Sequence, residues 1–150
     1  MMRLRASRGA PFAAGFLLAV PAFAQSTSSD SDRMTAAAQI HAVQKTIRAF
    51  EASCRKWNSP ASGDIAKARS VWEHQHAAVL AAVKRALATA TPQQRAQMDA
   101  ALDKQNLAMQ RQVESAPSDE RDRLCADFAG NIASPTMDPD NSPAYQKLMK

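Results

Sequence analysis

Residues 36–57, AAAQIHAVQKTIRAFEASCRKW, decide the fold class. Their apolar positions, Ala36, Ile40, Val43, Ile47, Phe50, Cys54 and Trp57, follow one another in steps of 4, 3, 4, 3, 4 and 3. That is the repeat of a helix packed along a seam. Lys45, Arg48 and Lys56 fall off the stripe, as a solvated face requires, and Glu51 with Arg55 forms an i,i+4 pair in the favourable order.

Working outward, residues 58–63 (Asn-Ser-Pro-Ala-Ser-Gly) are a turn signal, because proline disfavours helix at the residue before it. A second helix is expected from about Asp64 to Ala88–Ala90, burying Ile65, Ala68, Trp72, His76, Val79, Val83 and Leu87, with Leu80 widening the stripe. Thr91-Pro92-Gln93-Gln94 combines an N-cap, a proline at the first helical position and a glutamine that closes a capping box. The third helix that follows runs to about Ser115 on Met98, Leu102, Met109 and Val113, interrupted by Gln105. The short connection makes helices two and three an antiparallel hairpin. After Pro117 a shorter fourth helix is expected from Ser118, burying Leu124, Cys125 and Phe128 and ending near Gly130 with Ile132 folded back. No stretch alternates with period two. The reading is an all-α fold, an elongated antiparallel bundle of three long helices plus a shorter fourth. The helical domain spans residues 32–132, and an irregular tail, 133–150, can carry one short helix from Ser142-Pro143 with Tyr145 and Leu148.

The 150 residues are 45% hydrophobic, 22% charged and 5% aromatic, which fits one modest domain. Residues 1–24 read as a secretory signal: basic Arg3, Arg5 and Arg8, an apolar middle, then Ala22-Phe23-Ala24 before Gln25. A polar leader, residues 25–31, is expected to be disordered. Cleavage near Ala24/Gln25 places the mature chain in the periplasm or outside the cell, with no membrane span. Removing those three arginines from the nineteen Lys and Arg leaves sixteen against fourteen Asp and Glu, so the net charge of +5 falls to about +2. With no basic cluster or interleaved aromatics, the chain carries no footprint for nucleic acid.

Cys54 and Cys125 are too far apart for a CxxC redox pair and too few for a structural zinc site. In an oxidising compartment they are expected to form one disulfide. The helices are rich in alanine, which favours helix but buries little area, so the bridge or pairing of two copies would add needed stability.

Candidate chemistry is sparse. His74 and His76 are two apart and project about 200° from each other on a helix, so they do not grip one ion together. No G-x-S-x-G, H-E-x-x-H or C-x-x-C-H occurs, and Asp99 with Asp103 reads as a solvated acidic pair near Arg95. No catalytic set and no cofactor is expected.

Thr91-Pro92-Gln93-Gln94-Arg95 resembles the LTxxQ signature of the Spy/CpxP family of small helical periplasmic chaperones and stress-response proteins, with Ala90 where the family has leucine. The resemblance covers these five residues, in one copy. It implies a cradle-shaped dimer that holds unfolded or partner protein noncovalently.

The functional expectation is an exported helical protein that binds another exported or envelope protein, as an inhibitor or immunity-type antagonist, an adaptor or a chaperone. Its contact residues are expected among Arg95, Leu107, Arg111, Met137 and Tyr145; Leu107 falls off the buried stripe, and Tyr145 is the only tyrosine. The alternative is a periplasmic metal or small-ligand sensor using His41 with His74 or His76 between the first two helices.

Overall fold

A computed structural model describes residues 28–150. The expected signal, residues 1–24, and the first part of the leader lie outside the described residues. Among those described there are helices and no strands: α1 (Ser28–Lys56), α2 (Ser62–Gln75), α3 (Ala77–Ala88), α4 (Pro92–Glu114), α5 (Ser118–Ile132), a 3-10 turn (Pro139–Asn141) and α6 (Pro143–Leu148).

The architecture corrects the expected three long helices plus a fourth, because six α-helices are present. Expected helix two is two helices. His76 leaves the helical region at φ −103° and ψ 22°, the sparsely populated bridge between helix and strand. The hydrogen-bond ladder continues through it, from the His76 N–H to the Trp72 carbonyl at 3.0 Å and from the Leu80 N–H to the His76 carbonyl at 2.9 Å. The bend lets α2 pack mainly on α5 while α3 packs on α1 and α6. Each half thereby buries its own part of one continuous apolar stripe.

Three further expectations are revised. Residues 28–31, assigned to the polar leader, begin α1, with Asp30 in the first turn where the helix dipole favours an acid. The tail is more ordered than expected: Ser142 caps α6 through its hydroxyl, and Ala144 and Leu148 are buried. α5 also runs through Gly130 to Ile132.

The stripe of α1 is buried at Ala36, Ile40, Ile47, Phe50 and Cys54, with Val43 and Trp57 half-buried. Its two halves serve two cores. Ala36, Ile40 and Ala42 join Val83 and Leu87 of α3, Met98 and Leu102 of α4, and Leu148 of α6. Ile47, Phe50 and Cys54 join Ile65 and Trp72 of α2 with Cys125 and Ile132 of α5. In the second core the Cys54–Cys125 disulfide links α1 to α5 with a Cα separation of 6.0 Å, and Phe50 stacks on Phe128 with ring centroids 4.1 Å apart.

The corners follow local rules. α1 ends in a Schellman motif: Asn58 takes the left-handed conformation at φ 55°, its N–H bonds the Arg55 carbonyl, and the Ser59 N–H bonds the Cys54 carbonyl. α4 opens with the expected capping box, the Gln94 N–H to Thr91 Oγ1 at 3.1 Å and the Thr91 N–H to Gln94 Oε1 at 2.8 Å. No described helix is long and apolar enough to cross a membrane.

Candidate functional site

α4 contributes few large apolar side chains to the core, and its contact with α1 is correspondingly polar. Thr46 donates to the buried Asn106 at 3.1 Å, and Gln110 donates to the Ala49 carbonyl at 3.3 Å. Lys45 lies between Asp99 and Asp103, 2.9 Å from each, and His41 Nε2 is 3.2 Å from the same Asp99 oxygen. The acidic pair read from sequence as a solvated face thus clasps α1. The signal was out of reach locally, because Lys45 lies more than fifty residues away in sequence.

On the other side of α1, Glu73 of α2 accepts from Arg48 at 3.0 and 2.8 Å and from Arg69 at 2.9 Å. Glu51, buried in α1, is held by Arg55 and Arg69. For Glu73, burial is the largest single influence and pushes its pKa up. The hydrogen bond and charge of Arg48, the Gln44 amide and the charge of Arg69 together outweigh it and hold the carboxyl below its ordinary value. Asp99 follows the same logic, with burial outweighed by Lys45 and His41. Burial lowers Lys45, but its hydrogen bonds to Asp103 and Asp99 prevail and raise it.

A depressed carboxyl pKa means that between the two values the unfolded chain binds more protons, so stability rises with pH there. The contribution of Glu73 and Asp99 is full above the unfolded values near 4 and is lost as pH falls through the lower folded values. That of Lys45 is full below its unfolded value near 10.4 and is lost only as pH rises past its raised folded value. Urea midpoints measured from pH 7 to pH 2 should therefore decline on the acid side, with a shallower decline in Glu73→Gln. Parallel acid limbs in the two proteins would show that Glu73 contributes no charge-specific stability.

These networks leave α1 as a ridge between two open grooves. One, of about 700 Å³, lies toward α4 and is bordered by His41, Lys45, Arg48, Asn106 and Leu107. The other, of about 740 Å³, lies toward α3 and is bordered by His41, Arg48, Leu80, Val83, Lys84 and Leu87. His41 and Arg48 border both.

The structure does not assemble the five expected contact residues into one patch. Leu107, 46% exposed, borders the α4 groove, and Arg111 is exposed one turn further along the same helix. Arg95 turns inward, giving Nη1 to the carbonyls of Leu87, Ala88 and Ala90 at 3.4, 3.4 and 2.8 Å. It satisfies the open end of α3. Tyr145 packs against the first core and Met137 against the second, and the Met137 carbonyl accepts the Trp72 indole N–H at 2.8 Å. Sequence reasoning missed the polar clasp of Lys45, Asp99 and Asn106, whose partners sit on different helices.

The three histidines are also separated. His41 engages Asp99, and His74 is exposed on α2. His76 is buried at the α2–α3 bend, with Nε2 3.8 Å from Asp138 and Nδ1 3.8 Å from Asp140. Among the described residues, the group of ligand-type side chains placed to share an ion is His76, Asp138 and Asp140. The sequence shows the acids only as part of a turn, Asp138-Pro139-Asp140-Asn141, with nothing to say which histidine they face.

No known family model matches the chain, and neither a curated protein nor a solved structure matches it.

Proposed function

We propose that the protein is exported and acts by holding another exported or envelope protein noncovalently, as an inhibitor or immunity-type antagonist, an adaptor or a chaperone. The observation that carries this reading is the α1 ridge, flanked by open grooves and bordered by the exposed Leu107. An open groove with apolar walls and charged edges suits an extended or helical protein segment better than a small molecule, which binds best where it is enclosed. Arg48, Lys84 and Arg95 border the α3 groove, with no acid among its lining residues, so the segment complementary to that groove carries apolar anchors with acidic neighbours. The disulfide supports an oxidising compartment, as the expected signal does. The resemblance at Thr91–Arg95 favours the chaperone form, although those residues also build the α3–α4 corner.

The test is capture from an envelope extract by the mature, oxidised protein. Leu107→Arg should reduce recovery of the partner at least tenfold, about 1.4 kcal/mol of binding free energy. Val71→Arg, at a more exposed apolar position on α2 outside both grooves, should leave recovery unchanged. Equal recovery by wild type and Leu107→Arg would remove the groove from the function.

A further inference from the structure

We infer that the α2–α3 bend carries a binding site for one divalent transition-metal ion of the zinc class, held by His76, Asp138 and Asp140. Each is placed by its own element: His76 by the break between two helices, Asp138 as the cap of the 3-10 turn and Asp140 within that turn. One ligand atom from each residue lies within 4.8 Å of the others.

The strongest indication is the imidazole itself. His76 is 9% exposed, and its Nδ1 is buried with no hydrogen-bond partner. Buried polar atoms in folded proteins are nearly always paired, so an orphan nitrogen calls for an explanation. The nearby Asp140 oxygen is 3.8 Å away, too far for a hydrogen bond and far enough for an ion to stand between them. The ring offers an ion only one nitrogen at a time, and Nδ1 is the buried one without a hydrogen-bond partner.

The surroundings are built in the way a metal site requires. Asp138 does not swing freely: Oδ1 accepts the Asp140 N–H at 2.9 Å and Oδ2 accepts the Asn141 side-chain amide at 3.0 Å. Such outer partners orient a ligating carboxylate. Asp140 is about half exposed and has no such tether, so it can swing inward. Around an ion with bonds of 2.0–2.2 Å, tetrahedral ligand atoms stand about 3.3 Å apart, so the group must contract by up to about 1.5 Å.

Donor chemistry selects the ion. Two carboxylates beside a neutral imidazole carry two negative charges, which a divalent cation balances. One nitrogen with two oxygens suits zinc and its neighbours in the first transition row. Calcium takes six to eight oxygens, magnesium demands near-octahedral oxygen coordination, and copper(I) prefers sulfur. The fourth position is left to water. A bound ion would tie the 3-10 turn to the bend beside Trp72, whose ring centroid is 5.1 Å from that of His76.

The experiment uses the full mature chain, oxidised and without a histidine tag, titrated with Zn²⁺ by calorimetry and melted in Zn²⁺ or EDTA. One ion should bind per chain and raise the melting temperature by several degrees once zinc is well above the dissociation constant. Co²⁺ in its place should give visible absorption bands and quench Trp72 fluorescence. Asp140→Asn and His76→Gln should each weaken Zn²⁺ binding by at least the roughly 10–100-fold that losing an outer partner causes. His41→Gln and His74→Gln should leave it unchanged. Asp140→Asn changes only an exposed side chain, so its result holds even if His76→Gln fails to fold. No shift in melting temperature at millimolar Zn²⁺, or Zn²⁺ binding unaffected by Asp140→Asn, would overturn the site and leave His76 as an ordinary ion-pairing histidine.

Discussion

Replacing Cys54 and Cys125 together with alanine should lower the free energy of unfolding by about 4 kcal/mol. The bridge spans a sequence separation of 71 residues, and closing a loop of that length removes about this much chain entropy from the unfolded state. For a domain of this size the melting temperature should fall on the order of 15 °C. Since small domains are stable by only about 5–15 kcal/mol, the variant sits close to the threshold of folding at body temperature. Urea titration of the variant against the oxidised wild type measures the difference. Both sulfurs are completely buried, so alanine adds a small cavity cost that a separate titration of the reduced wild type distinguishes. A difference under about 1 kcal/mol would mean that α1 and α5 are already held together in the unfolded chain.

Trp72→Ala should destabilise by about 3–5 kcal/mol, the usual range for deleting a large buried ring. Trp72 is 2% exposed and sits in the second core, where it touches the chain in two ways. Its ring packs with the α1 and α5 side chains, and its indole N–H holds the Met137 carbonyl at 2.8 Å. Trp72→Phe keeps most of the bulk and loses the bond, so it should cost about 1–3 kcal/mol, because a part-buried carbonyl is left unpaired. The two variants separate packing from tethering. Both should speed proteolysis within residues 133–142, the segment the indole anchors, and Trp72→Phe should do so with little loss of helix signal. Unchanged cleavage in both would show that the tail is held by α6 alone.

The parts of the fold legible in the sequence are those set by neighbours in the chain. The stripe of α1, the capping box at Thr91–Gln94 and the oxidising pair Cys54 and Cys125 each follow from spacing or composition. The break at His76 left no such mark. Glu73-His74-Gln75-His76-Ala77 contains neither proline nor glycine, and the apolar repeat runs straight through it, because both halves bury the same stripe against different neighbours. Tertiary packing overrides a helix preference there. α6 was half legible: Ser142-Pro143 announces a start, but six residues are too few to show a period, and only the structure shows Leu148 buried at 1% exposure. In the candidate site the exposure of Leu107 was readable from its place off the stripe. The inward turn of Arg95 was not, since its carbonyl partners are exposed only by the way α3 ends.

Among the buried residues, α1 alone contributes to both cores, and the bridge reinforces only one of them. The unreinforced half is lined by alanines, Ala36, Ala37, Ala38, Ala42, Ala82 and Ala144, which give up little contact area when they separate. The molecule should therefore be graded along its longest helix: amide protons near the amino end of α1 should exchange through a shallow, partial opening, while those near Cys54 should wait for the whole chain to come apart.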